Sequence, residues 1–307
     1  EKKFRQIYVF EKGLKGVNQM DFAQFIKTIG EHRWEVHGVQ IMQNGEVLHQ
    51  YGDVKNFRYP IYSATKTFTS TAVGLAVEEG KFSIEESVWE YLKAEVPTYA
   101  SQRQVENLKK ITIRRLLMMS VDGYPFRPEG DNWLEFSLMY PPRQAEIPIF
   151  SYSNIPAYLV GVALEKVLGE HLISYLTPRL FEPLSIKNPP YGNCPSGHFY
   201  GASKMELTVE ELGRLGSLYL QKGCFNHQRI LAESWVEQAT TSHISNREGG
   251  YGYFIWKYKN GYRISGKWGQ RCFVFPEEKM TITYLANMKS GSEALTEAME
   301  KFCRESR

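Results

Sequence analysis

Ser63-Ala64-Thr65-Lys66 begins a run of small and apolar residues that continues to Glu79 and stops at Gly80. This composition and the terminal glycine predict a helix. Residues three apart share a helix face, so the Lys66 amine can fold back toward the Ser63 hydroxyl. A serine becomes a nucleophile when an adjacent base takes its proton, and a helix N-terminus favours negative charge on its oxygen. The stretch therefore predicts a nucleophilic serine with a lysine base; the alternative is an N-cap serine beside a surface lysine.

Two later motifs can complete such a site. Tyr152-Ser153-Asn154 comes directly before an apolar helical segment, so a loop-to-helix corner can hold its side chains over a cleft. Lys267-Trp268-Gly269 lies between two strand-like segments and can wall an active site. Both also have ordinary explanations, a buried tyrosine bonded to backbone or a lysine on the solvated face of a strand. Turns and loops explain the other copies of the two patterns, at Tyr191, Tyr258 and Lys259.

Strand signals occur at both ends of the chain. Asn44-Gly45 separates two strand-like segments, and Asn260-Gly261 separates two more, which is typical of hairpins with type I′ turns. A third hairpin is expected around Pro276 to Lys279. Helix-like segments at 21–28 and 293–302 flank these strands. Strands grouped together, with helices on one side, predict an α+β protein.

The middle of the chain carries helix signals. Ser83 with Glu86, and Thr208 with Glu211, form capping-box patterns, and Thr112 is a further candidate cap. We therefore expect an antiparallel sheet flanked by the terminal helices, plus a helical domain. The predicted boundaries are a discontinuous α/β sandwich domain of residues 1–62 and 241–307 and a helical domain of residues 63–240, with the active site between them.

Composition excludes several classes of protein. The formal net charge is only +3, from 37 basic and 34 acidic residues without a dense basic run, which argues against a nucleic-acid partner. No apolar run reaches the ~20 residues that span a bilayer. His32 and His37 do not match a common metal pattern, so we predict no metal and no cofactor.

The cysteines favour a reducing compartment. Cys194, Cys224, Cys272 and Cys303 show no metal or disulfide-framework spacing, so unpaired thiols are expected. No secretory signal begins at Glu1, and a cytoplasmic location is favoured. Because the chain begins without methionine, removal of an upstream segment and export stay open. The sequence predicts no oligomeric state.

Taken together, the three motifs resemble those of the serine β-lactamase-related hydrolases. The likeness is greatest to class C β-lactamases, D-alanyl-D-alanine carboxypeptidases, family VIII carboxylesterases and 6-aminohexanoate-dimer hydrolases, and S-x-x-K with K-T-G is a known signature of this group. It extends to 111–117, 251–256 and Gly269-Gln270, so it covers nearly the whole chain. The family fold implied is an α/β sandwich with an antiparallel sheet plus a helical domain.

The resemblance implies a role for each site residue. Ser63 would be the acylated nucleophile, with Lys66 and Tyr152 sharing the proton transfers. Asn154 would bond the acyl amide of the substrate or hold Lys66. Lys267 and Gly269 would act in substrate binding, and Lys267 would also lower the pKa of Lys66. The oxyanion hole would be the backbone N–H groups of Ser63 and Gln270.

Two positions bear on the substrate. Trp268 stands where β-lactamases usually carry Thr or Ser, so it points away from β-lactams, whereas Lys267 points toward them. Arg127 falls where class C enzymes carry a glutamine that faces the acyl group; it can attract an anion or be a surface arginine. Trp268 and Arg127 are therefore candidate cleft residues.

We expect a serine hydrolase of small esters or amides with at most modest β-lactamase activity. Within that class the alternatives are a true β-lactamase and a D-amino-acid peptidase. A different class is a penicillin-binding sensor that is acylated without turnover. His198 and His243 belong to no recognisable motif, and Lys66 makes a histidine base unnecessary.

Overall fold

The computed structural model describes residues 19–140 and 146–305, which form eleven helices and ten strands. The helices are α1 (Gln19–Glu31), α2 (Thr65–Glu78), α3 (Val88–Leu92), α4 (Gln102–Lys110), α5 (Ile113–Leu117), α6 (Trp133–Met139), α7 (Ile155–Leu168), α8 (Leu172–Leu176), α9 (Val209–Leu220), α10 (Glu233–Thr240) and α11 (Ser292–Glu305). The strands are β1 (Val36–Gln43), β2 (Glu46–Gly52), β3 (Tyr59–Pro60), β4 (Glu206–Leu207), β5 (Cys224–Phe225), β6 (Gln228–Arg229), β7 (Trp256–Tyr258), β8 (Gly261–Gly266), β9 (Gln270–Phe275) and β10 (Met280–Ala286).

A six-stranded antiparallel sheet is built from both ends of the chain, in the order β2-β1-β10-β9-β8-β7. Its outer face packs under the two terminal helices, α1 and α11, in one apolar cluster. Phe22 of α1 and Phe302 of α11 meet there with ring centroids 5.6 Å apart. The predicted α+β class, with an antiparallel sheet flanked by terminal helices, is confirmed.

The inner face of the sheet packs on α9 and continues into the helical middle of the chain as a second, larger cluster. Strand register produces the two faces, because Ile264 and Cys272 are paired and point inward while Arg263 and Phe273 are paired and point outward. The predicted domain boundaries, 1–62 with 241–307 and 63–240, stay a prediction.

The hairpin turns differ in how well sequence predicts them. Asn44 and Gly45 both have positive φ, 52° and 84°, as a type I′ turn requires. The second turn is Lys259-Asn260, one residue earlier than the expected Asn260-Gly261, because Tyr258 pairs with Gly261. Gly261 is needed in the strand instead, where a Cβ would lie 2.1 Å from the Val274 carbonyl oxygen.

The helix caps also differ in how well the sequence predicts them. Thr208 and Glu211 form the expected capping box at α9, and Thr112 caps α5. Ser83 does not cap α3: its hydroxyl accepts from the Glu85 N–H, and Ser87 is the N-cap residue.

Two further sequence features have structural counterparts. No helix in residues 19–140 or 146–305 combines the length and the apolar run needed to cross a bilayer. The cysteines whose side chains are described are Cys194, Cys224 and Cys272, and none of these three forms a disulfide.

The end of β8 makes a close backbone approach to the segment before Ser63. A Cβ built on Gly266 would lie 2.1 Å from the Ile61 carbonyl oxygen, which belongs to packed backbone and has little room to move. We therefore predict that Gly266→Ala lowers the free energy of unfolding by ~1–3 kcal/mol, the usual cost of overpacking. Urea unfolding measures this. Gly30→Ala, with nothing within 4 Å of its Cβ, is the matched control and should not destabilise the protein.

Candidate active site

Ser63 lies in a single 3₁₀ turn, Tyr62–Ala64, that leads directly into α2. Tyr62 has φ +48°, a left-handed conformation that is uncommon for a bulky residue and marks local strain. The Ile61 N–H donates to the Met205 carbonyl at 3.0 Å, which holds the turn from the other side. Ser63 is therefore positioned by a strained turn that packing keeps in place.

Lys66 is completely buried and touches three oxygens. Its Nζ lies 3.0 Å from Ser63 Oγ, 2.7 Å from Asn154 Oδ1 and 3.0 Å from the Ala202 carbonyl oxygen. Two of these partners are carbonyl oxygens, which only accept hydrogen bonds. A neutral amine has two N–H bonds and one lone pair. When both N–H bonds go to the carbonyls, the lone pair faces the Ser63 hydroxyl, which is the arrangement of a general base.

The protonation state of Lys66 suits that role. Burial lowers the pKa of Lys66 to about 7, so much of it is neutral at physiological pH. The sequence interpretation attributed part of this lowering to Lys267. In the structure Lys267 is exposed, and burial of Lys66 is the cause.

Tyr152 lies against the same amine. Its ring centroid is 4.9 Å from Lys66 Nζ, and the ring packs on Trp256 at 5.3 Å. Burial raises the pKa of Tyr152 to about 12, although the Ser63 hydroxyl and the positive charge of Arg271 oppose this rise. Tyr152 therefore keeps its proton at neutral pH and is suited to donate it.

Asn154 connects the lysine to a second tyrosine. It is the N-cap residue of α7, but its side chain makes no capping bond and turns toward Lys66 instead. Its Nδ2 donates to the Tyr200 hydroxyl at 2.9 Å, which leaves Oδ1 for Lys66. Its backbone N–H donates to the Phe126 carbonyl at 2.7 Å. Asn154 is thus held by three hydrogen bonds, two through its side-chain amide and one through its backbone N–H.

Three contributors were missed at the sequence level. Tyr200 and the Ala202 carbonyl come from one loop, which Thr69 fixes by donating to the Gly201 carbonyl at 2.8 Å. Arg271, on β9, donates to the Gly266 carbonyl and is a cation whose charge acts on Tyr152. A backbone carbonyl has no sequence signature, and neither side chain belongs to a motif with fixed spacing.

The third motif forms the turn between β8 and β9. Lys267 is exposed, with its ammonium 4.0 Å from the Trp268 ring centroid and 4.6 Å from that of Tyr62. Trp268 and Gly269 both have positive φ, 64° and 90°. Because Tyr62 adjoins Ser63, this turn lies beside the nucleophile. The binding roles of Lys267, Trp268 and Gly269 stay predictions.

The second oxyanion donor also stays a prediction. Gln270 is the first residue of β9 and pairs with Gly266. Its side chain is fixed to β10, where Oε1 accepts from the Ala286 N–H at 3.2 Å and Nε2 donates to the Ala286 carbonyl at 2.5 Å. Its backbone is therefore rigid and close to the β8 end that touches Ile61.

Arg127 directly follows Phe126, whose carbonyl accepts the Asn154 N–H. It is exposed, and its positive charge partly opposes the rise that burial causes in the pKa of Tyr200. Its proposed place in the cleft stays a prediction.

The histidines considered as bases have other partners. His198 Nδ1 lies 2.6 Å from Glu165 Oε2, and His243 Nε2 lies 2.7 Å from the Gln238 carbonyl oxygen. Within the part of the chain that the structure describes, no three His, Cys, Asp or Glu side chains are grouped as a metal would require.

This chain is similar to known proteins both in sequence and in fold. The family model for Beta-lactamase matches residues 22–302. A β-lactamase/D-alanine carboxypeptidase from Pseudomonas syringae superposes with a TM-score of 0.74 at 15% identity, covering 94% of this chain and 98% of that one. A mutant of a class C β-lactamase superposes equally well, with a TM-score of 0.74 at 15% identity over 94% and 97% of the two chains. The predicted β-lactamase/transpeptidase-like fold is confirmed.

A curated relative matches over a shorter stretch. Protein flp of Staphylococcus aureus (strain MW2) is 25% identical over an alignment of 201 residues, and the match covers 56% of this chain and 39% of that protein. The matched stretch thus spans about two fifths of its length.

The pKa of Lys66 makes a direct prediction for the reactivity of Ser63. Labelling of Ser63 by a fluorophosphonate should accelerate as pH rises through about 7, because Lys66 loses its proton there and becomes a base. Intact-mass measurement of labelling between pH 5 and pH 9 tests this. A flat profile, or an unchanged profile in Lys66→Met, would contradict it.

Tyr200 should act on Ser63 through Asn154. We predict that Tyr200→Phe slows labelling by ~3–10-fold, the value of one hydrogen bond. It should also move the midpoint to lower pH, since a less fixed Asn154 carbonyl stabilises the Lys66 ammonium less well. Tyr191→Phe, at an exposed tyrosine, is the control. A slower rate with an unmoved midpoint would mean that Tyr200 has only a structural role.

Proposed function

Because this chain belongs to the β-lactamase family, we propose that it is a serine hydrolase that cleaves ester or amide bonds through an acyl-enzyme on Ser63. The observation that carries the proposal is the 3.0 Å contact between Lys66 Nζ and Ser63 Oγ. A buried amine whose other hydrogen bonds are taken by carbonyls is a base aimed at one hydroxyl.

Acylation begins with that base. Lys66 takes the Ser63 proton while Oγ attacks the substrate carbonyl carbon, and the carbonyl electrons move to its oxygen. The Ser63 N–H and a second amide at the β8–β9 end, predicted to be that of Gln270, stabilise the oxyanion. When the tetrahedral intermediate collapses, Tyr152 gives its proton to the leaving group. The Lys66 ammonium then reprotonates Tyr152, so the two residues return to their starting states.

Deacylation repeats the sequence with water. Neutral Lys66 takes a proton from the water that attacks the ester carbonyl, and the proton returns to Ser63 as the acid product leaves. The pKa of Lys66 is about 7 and that of Tyr152 is about 12. Lys66 therefore suits the role of base and Tyr152 that of acid, so the two can work as a pair.

The substrate is proposed to be a small ester or amide. The rings of Trp268 and Tyr62 have their centroids 5.0 Å apart. We propose that the bulky Trp268 ring, which has no hydroxyl, narrows the cleft on that side. β-Lactams are therefore expected to be turned over weakly. A true β-lactamase, a D-alanyl-D-alanine peptidase and a penicillin sensor without turnover are the competing assignments.

Substitution of the three reacting residues tests the mechanism. With p-nitrophenyl acetate, Ser63→Ala should abolish turnover, while Lys66→Ala and Tyr152→Phe should each lower it by at least ~100-fold, the low end for lost acid–base catalysis. Initial rates of p-nitrophenolate release measure this, with Tyr191→Phe as the control. Turnover by Ser63→Ala at the normal rate would refute the acyl-enzyme.

Benzylpenicillin separates the competing assignments. Intact masses of protein and drug are followed over time, with Ser63→Ala as control. Fast gain of water by the drug would indicate a β-lactamase, and a lasting Ser63 adduct would indicate a peptidase or sensor. If neither mass changes while esters are hydrolysed, Trp268 excludes the drug and the esterase assignment stands.

A further inference from the structure

We propose that Lys204, whose ammonium lies over the rings of Trp133 and Tyr200, and the neighbouring Arg127 form a subsite for a carboxylate on the acyl group of the substrate. These four residues are termed the acyl-acid subsite. The proposal rests on the serine hydrolase function proposed above and specifies its substrate class, esters or amides of dicarboxylic acids that keep one free carboxylate.

Lys204 is exposed, but its side chain packs against neighbouring residues. Its backbone has φ +70°, and its ammonium lies 5.4 Å from the Trp133 ring centroid and 5.6 Å from that of Tyr200. Its methylene chain crosses Gly192, where an added Cβ would lie 2.5 Å from Lys204 Cδ. A charge on a constrained side chain costs less to order around a ligand than one on a mobile chain.

The subsite is connected to the reacting atoms by short contacts. Tyr200, which lies under Lys204, accepts from Asn154 Nδ2 at 2.9 Å, and Asn154 Oδ1 lies 2.7 Å from Lys66 Nζ. Lys204 also follows Ala202, whose carbonyl binds the same amine, by only two residues. Lys204 is therefore connected to Lys66 through Tyr200 and Asn154, which form one wall beside the amine.

Arg127 reaches the same wall from another loop. Its neighbour Phe126 accepts the Asn154 N–H at 2.7 Å, so Arg127 is one residue from a direct contact with the catalytic network. The influence of its charge on the Tyr200 hydroxyl is consistent with that position. Both cations thus act at Tyr200, the partner of Asn154, beside which the acyl part of a substrate is expected.

Neither cation forms an ion pair with another described residue. The ion pairs of surface lysines, such as Lys55 with Glu210 and Lys222 with Glu233, do not include Lys204 or Arg127. Glu129 and Asp131 lie in the loop after Arg127 and pair with neither cation. Unpaired like charges in a cleft attract an anion, and the aromatic rings of Trp133 and Tyr200 suit the apolar chain that would carry it.

Matched esters test the subsite. Mono-p-nitrophenyl adipate and p-nitrophenyl hexanoate have the same acyl length and leaving group and differ in one carboxylate. We expect kcat/KM to be at least ~10-fold higher for the adipate, as two uncompensated cations allow. Lys204→Met with Arg127→Met should bring the two esters to parity by lowering the adipate rate, because only the adipate carries a charge for these cations to attract. Lys187→Met, at another exposed lysine, is the control.

Each contrary result has one meaning. Equal rates for both esters in the wild-type protein would overturn the subsite and leave the hydrolase function standing. Loss of the preference in Lys267→Met but not in the double variant would assign the charge to the β8–β9 turn and also overturn it. A preference for 4-(hexanoyloxy)benzoate over the adipate would place the anion on the leaving group instead.

A binding measurement separates failure of the subsite from failure of the hydrolase function. In Ser63→Ala, methyl hydrogen adipate should bind at least ~10-fold more tightly than methyl hexanoate, and the double variant should remove this difference. Calorimetry or ligand-observed NMR measures it without turnover. Equal binding would overturn the subsite, whereas the expected binding with no Ser63-dependent hydrolysis would refute the hydrolase function alone.

Discussion

The burial of one amine among three oxygens is the constraint on which the rest of the site depends. Lys66 can serve as a base only while water is kept away, and α2 is accordingly buried along nearly its whole length, from Thr65 to Ala76. An isolated buried charge is costly, so the fold supplies two carbonyls that satisfy the amine in either protonation state. Helix packing and proton transfer are therefore served by the same contacts.

Other elements lose local stability to maintain that arrangement. Tyr62 adopts a left-handed backbone beside Ser63, and Asn154 leaves α7 without a side-chain cap so that its amide can face Lys66. A side-chain N-cap usually stabilises a helix by ~1 kcal/mol, so the orientation of Asn154 toward Lys66 has a cost in stability. Gly266 supplies the close backbone contact that joins sheet and helix at this point. Tyr62, Asn154 and Gly266 thus each depart from good local structure close to Ser63, and functional sites are where such strain is expected.

Sequence reasoning succeeded where chemistry and spacing are local. Ser63 and Lys66 on one helical turn, the Asn44-Gly45 turn and the Thr208 cap depend on residues a few positions apart. It failed where a distant backbone decides. Gly261 lies in a strand and not in the turn, at a place where the Val274 carbonyl oxygen leaves no room for a Cβ. The Ala202 carbonyl, which accepts from Lys66, is 136 positions away in the sequence. Tyr200 and Arg271 were missed for the same reason, since no spacing rule connects them to Ser63.

The turn formed by Lys267, Trp268 and Gly269 has a consequence for how relatives of this protein diverge. It lies outside the strand ladder, between Gly266 and Gln270, which are already paired. Exchange of the exposed Lys267 side chain therefore leaves the register of β8 and β9 and the buried network around Lys66 unchanged. New selectivity can arise at Lys267 through single substitutions that are almost neutral for folding, whereas Gly269, with φ +90°, accepts a side chain only with strain.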